Sequence, residues 1–201
     1  MGLSCLINRS EPIILDASVA INLNASGSAE TILRAVPNDI LITDIVLDEL
    51  REDTRTGRPD RALTEALIVS GVISVIGISE SDELEFERLV VGPGNSTLDD
   101  GEAATIAAAY GSGHIAIIDE RKGRRICAEL YPRIVFGDTC DVLAHPKVEQ
   151  ALGRQTLSDA VASALRSARM PIGSGHLLWA IDLIGKDAAH EFPSLRRHLR
   201  R

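Results

Sequence analysis

The chain has 201 residues, 45% of them hydrophobic and 25% charged, a length that favours one domain with additions and a composition that argues against disordered, collagen-like and coiled-coil classes. No apolar run approaches the roughly 20 residues of a membrane span, so no membrane association is expected. A net charge of −8 argues against non-specific adhesion to nucleic acid or to anionic membranes.

In chain order, Met1 to Ser10 has no positive charge ahead of its short apolar patch and no small-residue cleavage site after it, which argues against a signal peptide. Ile13-Ile14-Leu15 predicts a first strand, followed by helix-like segments near 18–24 and 26–36. Ile40-Leu41-Ile42 predicts a second strand, with helices over 44–53 and 60–70 after it, and Val72 to Ile76 a third. A helix near 80–90 contains Glu80 to Arg88, whose five acids and one base supply half of the net charge. Gly92 to Ser96 is a turn by composition, and its glycine spacing is no phosphate-binding fingerprint. A helix over 98–112, a strand over Ile115 to Ile118, a helix over 120–130, a strand over Ile134 to Phe136 and a helix over 137–145 complete the alternation.

These runs are β-branched and apolar without polar alternation, as strands covered on both faces should be. Strand and helix in alternation predict an α/β domain with a mostly parallel sheet, whose functional groups lie at the carboxyl ends of the strands. From about residue 150 no strand is predicted. A helix over Leu157 to Arg169, a break at Gly173-Ser174-Gly175, a helix over His176 to Ile184 and a short basic helix to Arg201 read as a helical extension packed on the domain, too short for its own core.

Of the 21 bases 18 are arginine, and many of them gather at Arg51, Arg55, Arg58 and Arg61, at Arg121 to Arg125, and at the carboxyl end. The arginine fork suits phosphate and ordinary ion pairs alike. Cys5, Cys127 and Cys140 are too few and too scattered for a disulfide framework or a thiolate zinc site, so a reducing cytoplasm is the expected compartment.

Asp16 directly follows the first predicted strand and Asp119 the fourth. Two strand-end carboxylates would open into one crevice if their strands are neighbours, and each is equally placed to cap the next helix. Stepping about 100° per residue from Ile45 places Glu49 at about 40°, between Ile45 and the apolar arc of Val46, Leu47 and Leu50, with Asp48 at about 300° on the polar side. An inward carboxylate needs a cation or donor, and an arginine would serve. Asp99 and Glu102 have capping-box spacing, and Glu102 shares a helix face with Ile106 near an N-terminus. Converging carboxylates repel unless a divalent cation neutralises them. Oxygen-only donors favour Mg²⁺ or Mn²⁺ over zinc, and such sites cleave phosphoesters.

Leu15-Asp16-Ala17-Ser18-Val19-Ala20, the helix ending Asp48-Glu49-Leu50, Leu98-Asp99-Asp100-Gly101-Glu102-Ala103 and Ile118-Asp119-Glu120-Arg121-Lys122-Gly123-Arg124-Arg125 resemble, in order, the successive motifs of PIN-domain proteins. The Gly-Glu-Ala and Asp-Glu-Arg-Lys-Gly-Arg forms resemble a prokaryotic branch related to the VapC-type toxin ribonucleases of toxin–antitoxin pairs. The resemblance implies a PIN-like, flavodoxin-like α/β/α sandwich over residues 12–145, with a central mostly parallel sheet, and a C-terminal helical extension over 146–201. It implies a nuclease dependent on Mg²⁺ or Mn²⁺, usually an endoribonuclease hydrolysing RNA phosphodiesters, as a homodimer that an antitoxin would block with a basic residue.

By the same resemblance Asp16, Glu49, Glu102 and Asp119 form an acidic catalytic quartet. Asp16, Glu102 and Asp119 would hold the metal, and Glu49 would shape the site or position the attacking water. Ser18 would hydrogen-bond a ligand carboxylate or cap the next helix. Glu120 is a candidate outer acid. Arg124 and Arg125 are candidates for phosphate contact, against the reading that they lie on a solvated or ion-paired face. Two features depart from the family pattern: Gly137 is followed by Asp138, a fifth acid or a helix cap, with Thr139 next; and the carboxyl extension is longer than the compact toxins carry.

The alternative is a catalytically silent PIN-fold module that regulates through a protein or RNA partner. An Asp-nucleophile phosphatase would need an acid where Ser18 stands. A receiver domain would need a lysine after a later strand, and only Lys122, Lys147 and Lys186 exist.

Overall fold

The computed structural model describes residues 4–92 and 97–199; Pro93 to Ser96 of the predicted turn and the terminal Arg200 and Arg201 lie outside them. The elements run β1 (Ile13–Leu15), α1 (Ala17–Ala25), α2 (Ala29–Ala35), β2 (Ile40–Thr43), α3 (Asp44–Glu49), β3 (Glu52–Asp53), β4 (Arg58–Pro59), α4 (Asp60–Val69), β5 (Ile73–Ile76) and α5 (Glu83–Val91). After them come α6 (Asp100–Ser112), β6 (Ile115–Ile117), α7 (Arg121–Leu130), β7 (Phe136–Gly137) and α8 (Thr139–Leu143). The chain closes with α9 (Pro146–Leu152), α10 (Arg154–Ser167), α11 (Leu177–Ile184), α12 (Lys186–Ala189) and α13 (Pro193–Leu199).

The main sheet is parallel throughout, in the order β5-β2-β1-β6-β7. β1 lies at its centre, with Leu15 opposite Ile42 on one side and Ile117 on the other. Every residue of β1 and β6 is buried, which is why these runs carry no polar alternation. Successive side chains still divide between the two faces. Ile13, Leu15, Ile115 and Ile117 enter the larger core with α1, α2 and α10. Ile14 and Ala116 enter a smaller one with α5, α6 and α7. The result is the expected α/β/α sandwich.

Helices of the C-terminal stretch share the larger core: Leu157, Val161 and Leu165 of α10 lie in the same cluster as Leu15 and Leu23.

Several elements differ from expectation. The helix predicted over 44–53 stops at Glu49, because Leu50 turns extended at ψ 131° and is buried, and residues 52–53 pair with 58–59 as an antiparallel hairpin. The second helix starts at Ala29, after Gly27 has taken a positive φ of 71°. The last strand lies at Phe136–Gly137, one residue past the predicted run, while Ile134 packs into the smaller core. α9 was not expected, although His145 as N-cap and Pro146 in the first turn are ordinary start signals.

Candidate functional site

Because β1 and β6 are neighbours, Asp16 and Asp119 leave the sheet side by side, and the Asp16 amide donates to the Ile117 carbonyl at 3.1 Å. Asp16 is the N-cap of α1 and is also buried. Its Oδ2 accepts from the Ser18 hydroxyl at 2.6 Å and the Ser18 amide at 3.3 Å, so Ser18 is engaged in holding that carboxylate. Asp119 accepts from the Thr139 amide at 2.8 Å, from the Thr139 hydroxyl, and from Asn22 Nδ2 at 2.6 Å. Helices α1 and α8 thus both anchor it.

The other two acids meet at the start of α6. Asp99 caps this helix by accepting from the Glu102 amide at 2.9 Å, and the Gly101 amide donates to Glu49 Oε1 at 2.8 Å. A Cβ at position 101 would lie 2.1 Å from Glu49 Oε2, so any larger residue there would displace that carboxylate. Asp48 points outward and pairs with Arg61 at 3.2 Å, leaving Glu49 as the inward acid. Glu102 is buried, and its Oε1 has no hydrogen-bond partner. A Cβ at Gly123 of α7 would sit 2.8 Å from that oxygen. Two glycines therefore leave room for two carboxylates.

Burial pushes the Asp16 carboxyl up to about 6 against the Ser18 hydrogen bonds, and the charge of Asp99 adds to the rise. Glu102 is pushed up to about 8, first by burial and then by the charges of Asp99, Asp16 and Glu120, with Lys122 opposing. Asp119 is raised by burial despite its bonds from Thr139 and Asn22. Glu49 is raised by burial and by Asp99 and Asp100, against the Gly101 amide. Desolvated acids that repel one another need protons or a cation.

Asp99 bears on Asp16, Glu49 and Glu102 alike, although the sequence marks it only as a cap. Asn22 was missed, and its signal is a polar side chain on the buried side of a largely apolar helix.

Arg124 Nη1 is 2.6 Å from Asp138 Oδ2, and Arg125 pairs with Glu129 at 3.0 Å on the exposed side of α7. Asp138 caps α8 in a reciprocal capping box with Asp141. A cavity of about 310 Å³ beside Asp119 is lined by Arg121, Arg124 and Asp138 and closed by residues 171–174 of the C-terminal stretch. Among the described residues, the acids, cysteines and histidines that bring one ligand atom each within 4.8 Å of one another are Asp138, Cys140 and His176; the quartet is more widely spread.

A family model described as a PIN domain matches residues 12–162. Among solved structures, a chain of VapBC2 from Rickettsia felis bound to a DNA fragment from their promoter is 16% identical, with a TM-score of 0.45 over 63% of this chain and 97% of that one. No curated protein matches.

Proposed function

The chain belongs to the PIN-domain family, and from that premise we propose that it is a divalent-metal-dependent endoribonuclease whose site is the acidic group at the carboxyl ends of β1 and β6. The observation that carries the proposal is the buried, unpartnered Oε1 of Glu102 among carboxylates raised by burial and mutual repulsion. An oxygen left without a donor is costly unless a cation takes the place of one. The donors are all oxygen, which suits Mg²⁺ or Mn²⁺.

Asp16, Glu102 and Asp119 would hold the ion. When bound, it would supply hydroxide near neutral pH and offset charge on the phosphoryl oxygens. Ser18 keeps Asp16 in place, and Asn22 and Thr139 do the same for Asp119. Glu49, held by the Gly101 amide, would shape the site or orient the attacking water. Arg124 and Arg125 would offer charge to RNA phosphates once drawn from their carboxylate partners.

The Gly-Glu-Ala and Asp-Glu-Arg-Lys-Gly-Arg motifs support the toxin branch related to VapC, with residues 12–145 as the nuclease domain and 146–201 as an extension. The partners we propose are an antitoxin that presents a basic residue to the acidic cleft and a second copy of the chain. Among the described residues no helix is long and apolar enough to cross a membrane. Three free cysteines agree with a cytoplasmic setting.

A silent binding module is the second reading, favoured by the three donors that already occupy Asp119. The two are separated by incubating the purified chain and Asp16→Asn with structured and single-stranded RNA in Mn²⁺, Mg²⁺ or EDTA. Asparagine is an equally good N-cap for α1, and circular dichroism checks the fold of the variant. Metal-dependent cleavage that falls at least about 100-fold in Asp16→Asn supports the nuclease. No cleavage by either form, with no divalent binding by calorimetry, supports the silent module.

A further inference from the structure

The segment Gly137-Asp138-Thr139-Cys140-Asp141 leads from the edge strand β7 into α8. The C-terminal stretch returns over it, bringing His176 down onto the first turn. Asp138, Cys140 and His176 are 4%, 1% and 6% exposed, so this cluster is drier than a surface ion pair. Their ligand atoms lie within 4.8 Å of one another. The Nε2 of His176 is buried without a hydrogen-bond partner, with Asp141 Oδ1 3.4 Å away outside hydrogen-bonding geometry. Buried ring nitrogens are rarely left in this state.

We propose that Asp138, Cys140 and His176 form a zinc site that clasps the C-terminal stretch to the start of α8. The site adjoins the acidic centre, since Thr139 between two of its ligands holds Asp119, but it does not depend on the nuclease reading. One thiolate, one imidazole and one carboxylate select Zn²⁺ over the hard ions Mg²⁺ and Mn²⁺. Tetrahedral zinc with bonds of about 2.0–2.3 Å sets its donors roughly 3.3–3.8 Å apart, so each side chain need move by less than about 1 Å.

Charge also balances. Zn²⁺ with the Asp138 carboxylate and the Cys140 thiolate is neutral, and Arg124 lies 2.6 Å from Asp138 Oδ2. Binding forms a Zn–S bond and breaks the S–H bond, and the proton leaves to solvent. Both Asp141 oxygens are already engaged, by the Cys5 and Asp138 amides, so water would complete four-coordination. Room is left by Gly173, where a Cβ would stand 3.0 Å from Asp138 Oδ2. The ring of His176 is steadied edge-on by Trp179 at 6.2 Å. A clasp here would fix residues 171–174, which wall the cavity beside Asp119.

The test is to strip the full chain with EDTA, remove the chelator and titrate with Co²⁺, then displace with Zn²⁺. One equivalent is expected to give a thiolate-to-cobalt charge-transfer band and intense tetrahedral visible bands, both abolished by Zn²⁺. The bands should persist in Asp16→Asn and Cys5→Ser, vanish in Cys140→Ala, and need at least tenfold more Co²⁺ in His176→Gln. Absence of the charge-transfer band in the wild-type chain, or its survival in Cys140→Ala, would overturn the proposal. Circular dichroism checks the fold of each variant. If Cys140→Ala does not fold, His176→Gln decides: weakened binding supports the site, and unchanged binding overturns it.

Discussion

Glu102 and Asp16 carry the largest electrostatic consequence of single side chains near the proposed centre. In the folded chain their carboxyls are held at about 8 and about 6, against about 4.3 and about 3.9 for ordinary Glu and Asp. Between those limits the folded state binds more protons than the unfolded state, so without metal its stability falls as pH rises through the window. His176 acts in the same direction: burial lowers it, but Asp141 and Asp138 outweigh burial and raise it overall. The melting temperature in EDTA should therefore decline from pH 5 to pH 8.5. Glu102→Gln should flatten the upper part of that decline, raise the melting temperature at pH 8 by at least roughly 3 °C, and remove most of the stabilisation that Mn²⁺ confers on the wild type. A wild-type profile that is flat or rises with pH would contradict this account.

At the scale of elements, short helices are placed by their caps and by bare backbone where two of them meet. Thr43 starts α3 by accepting from the Val46 amide at 3.1 Å, and burial of Leu50 ends it, which leaves Glu49 facing the first turn of α6. Gly101 is the contact. Alanine there would favour an isolated helix by about 1 kcal/mol, but its Cβ would strike the Glu49 carboxylate. Gly101→Ala is therefore expected to keep a folded chain and lose at least about tenfold in RNA cleavage, because a displacement of an ångström at a reacting centre costs that much or more. Cleavage rates beside thermal melts check it, and unchanged cleavage would remove Glu49 from the site.

For the whole molecule, the larger core extends without a break from β1 into α10 and beyond. Leu157, Val161, Leu165, Met170 and Leu195 are all buried in it. At about 1.5–3 kcal/mol for each such side chain, their loss is comparable with the roughly 5–15 kcal/mol by which domains are stable. A chain lacking residues 154–201 should thus show no cooperative thermal transition and should bind a hydrophobic dye, measurable by circular dichroism and fluorescence. A sharp transition in the truncated chain would mean that the sandwich stands without its C-terminal helices.

Sequence alone determined what neighbouring residues decide: apolar β-branched runs form strands, capped stretches form helices, and a helix projection separates outward Asp48 from inward Glu49. The α/β class, the strand-end placement of Asp16 and Asp119, and the sharing of a helix face by Glu102 and Ile106 were legible in this way. Tertiary structure alone decided which partners face those residues. The β3–β4 hairpin cut short a helix that local propensity would have continued. Asp99 entered the field of three other acids, and Asn22 reached Asp119 from another element. His176 met Asp138 and Cys140 only because α10 packs back across the sheet. Such meetings join residues distant along the chain, and the burial of a shared core, which no local period records, brings them together.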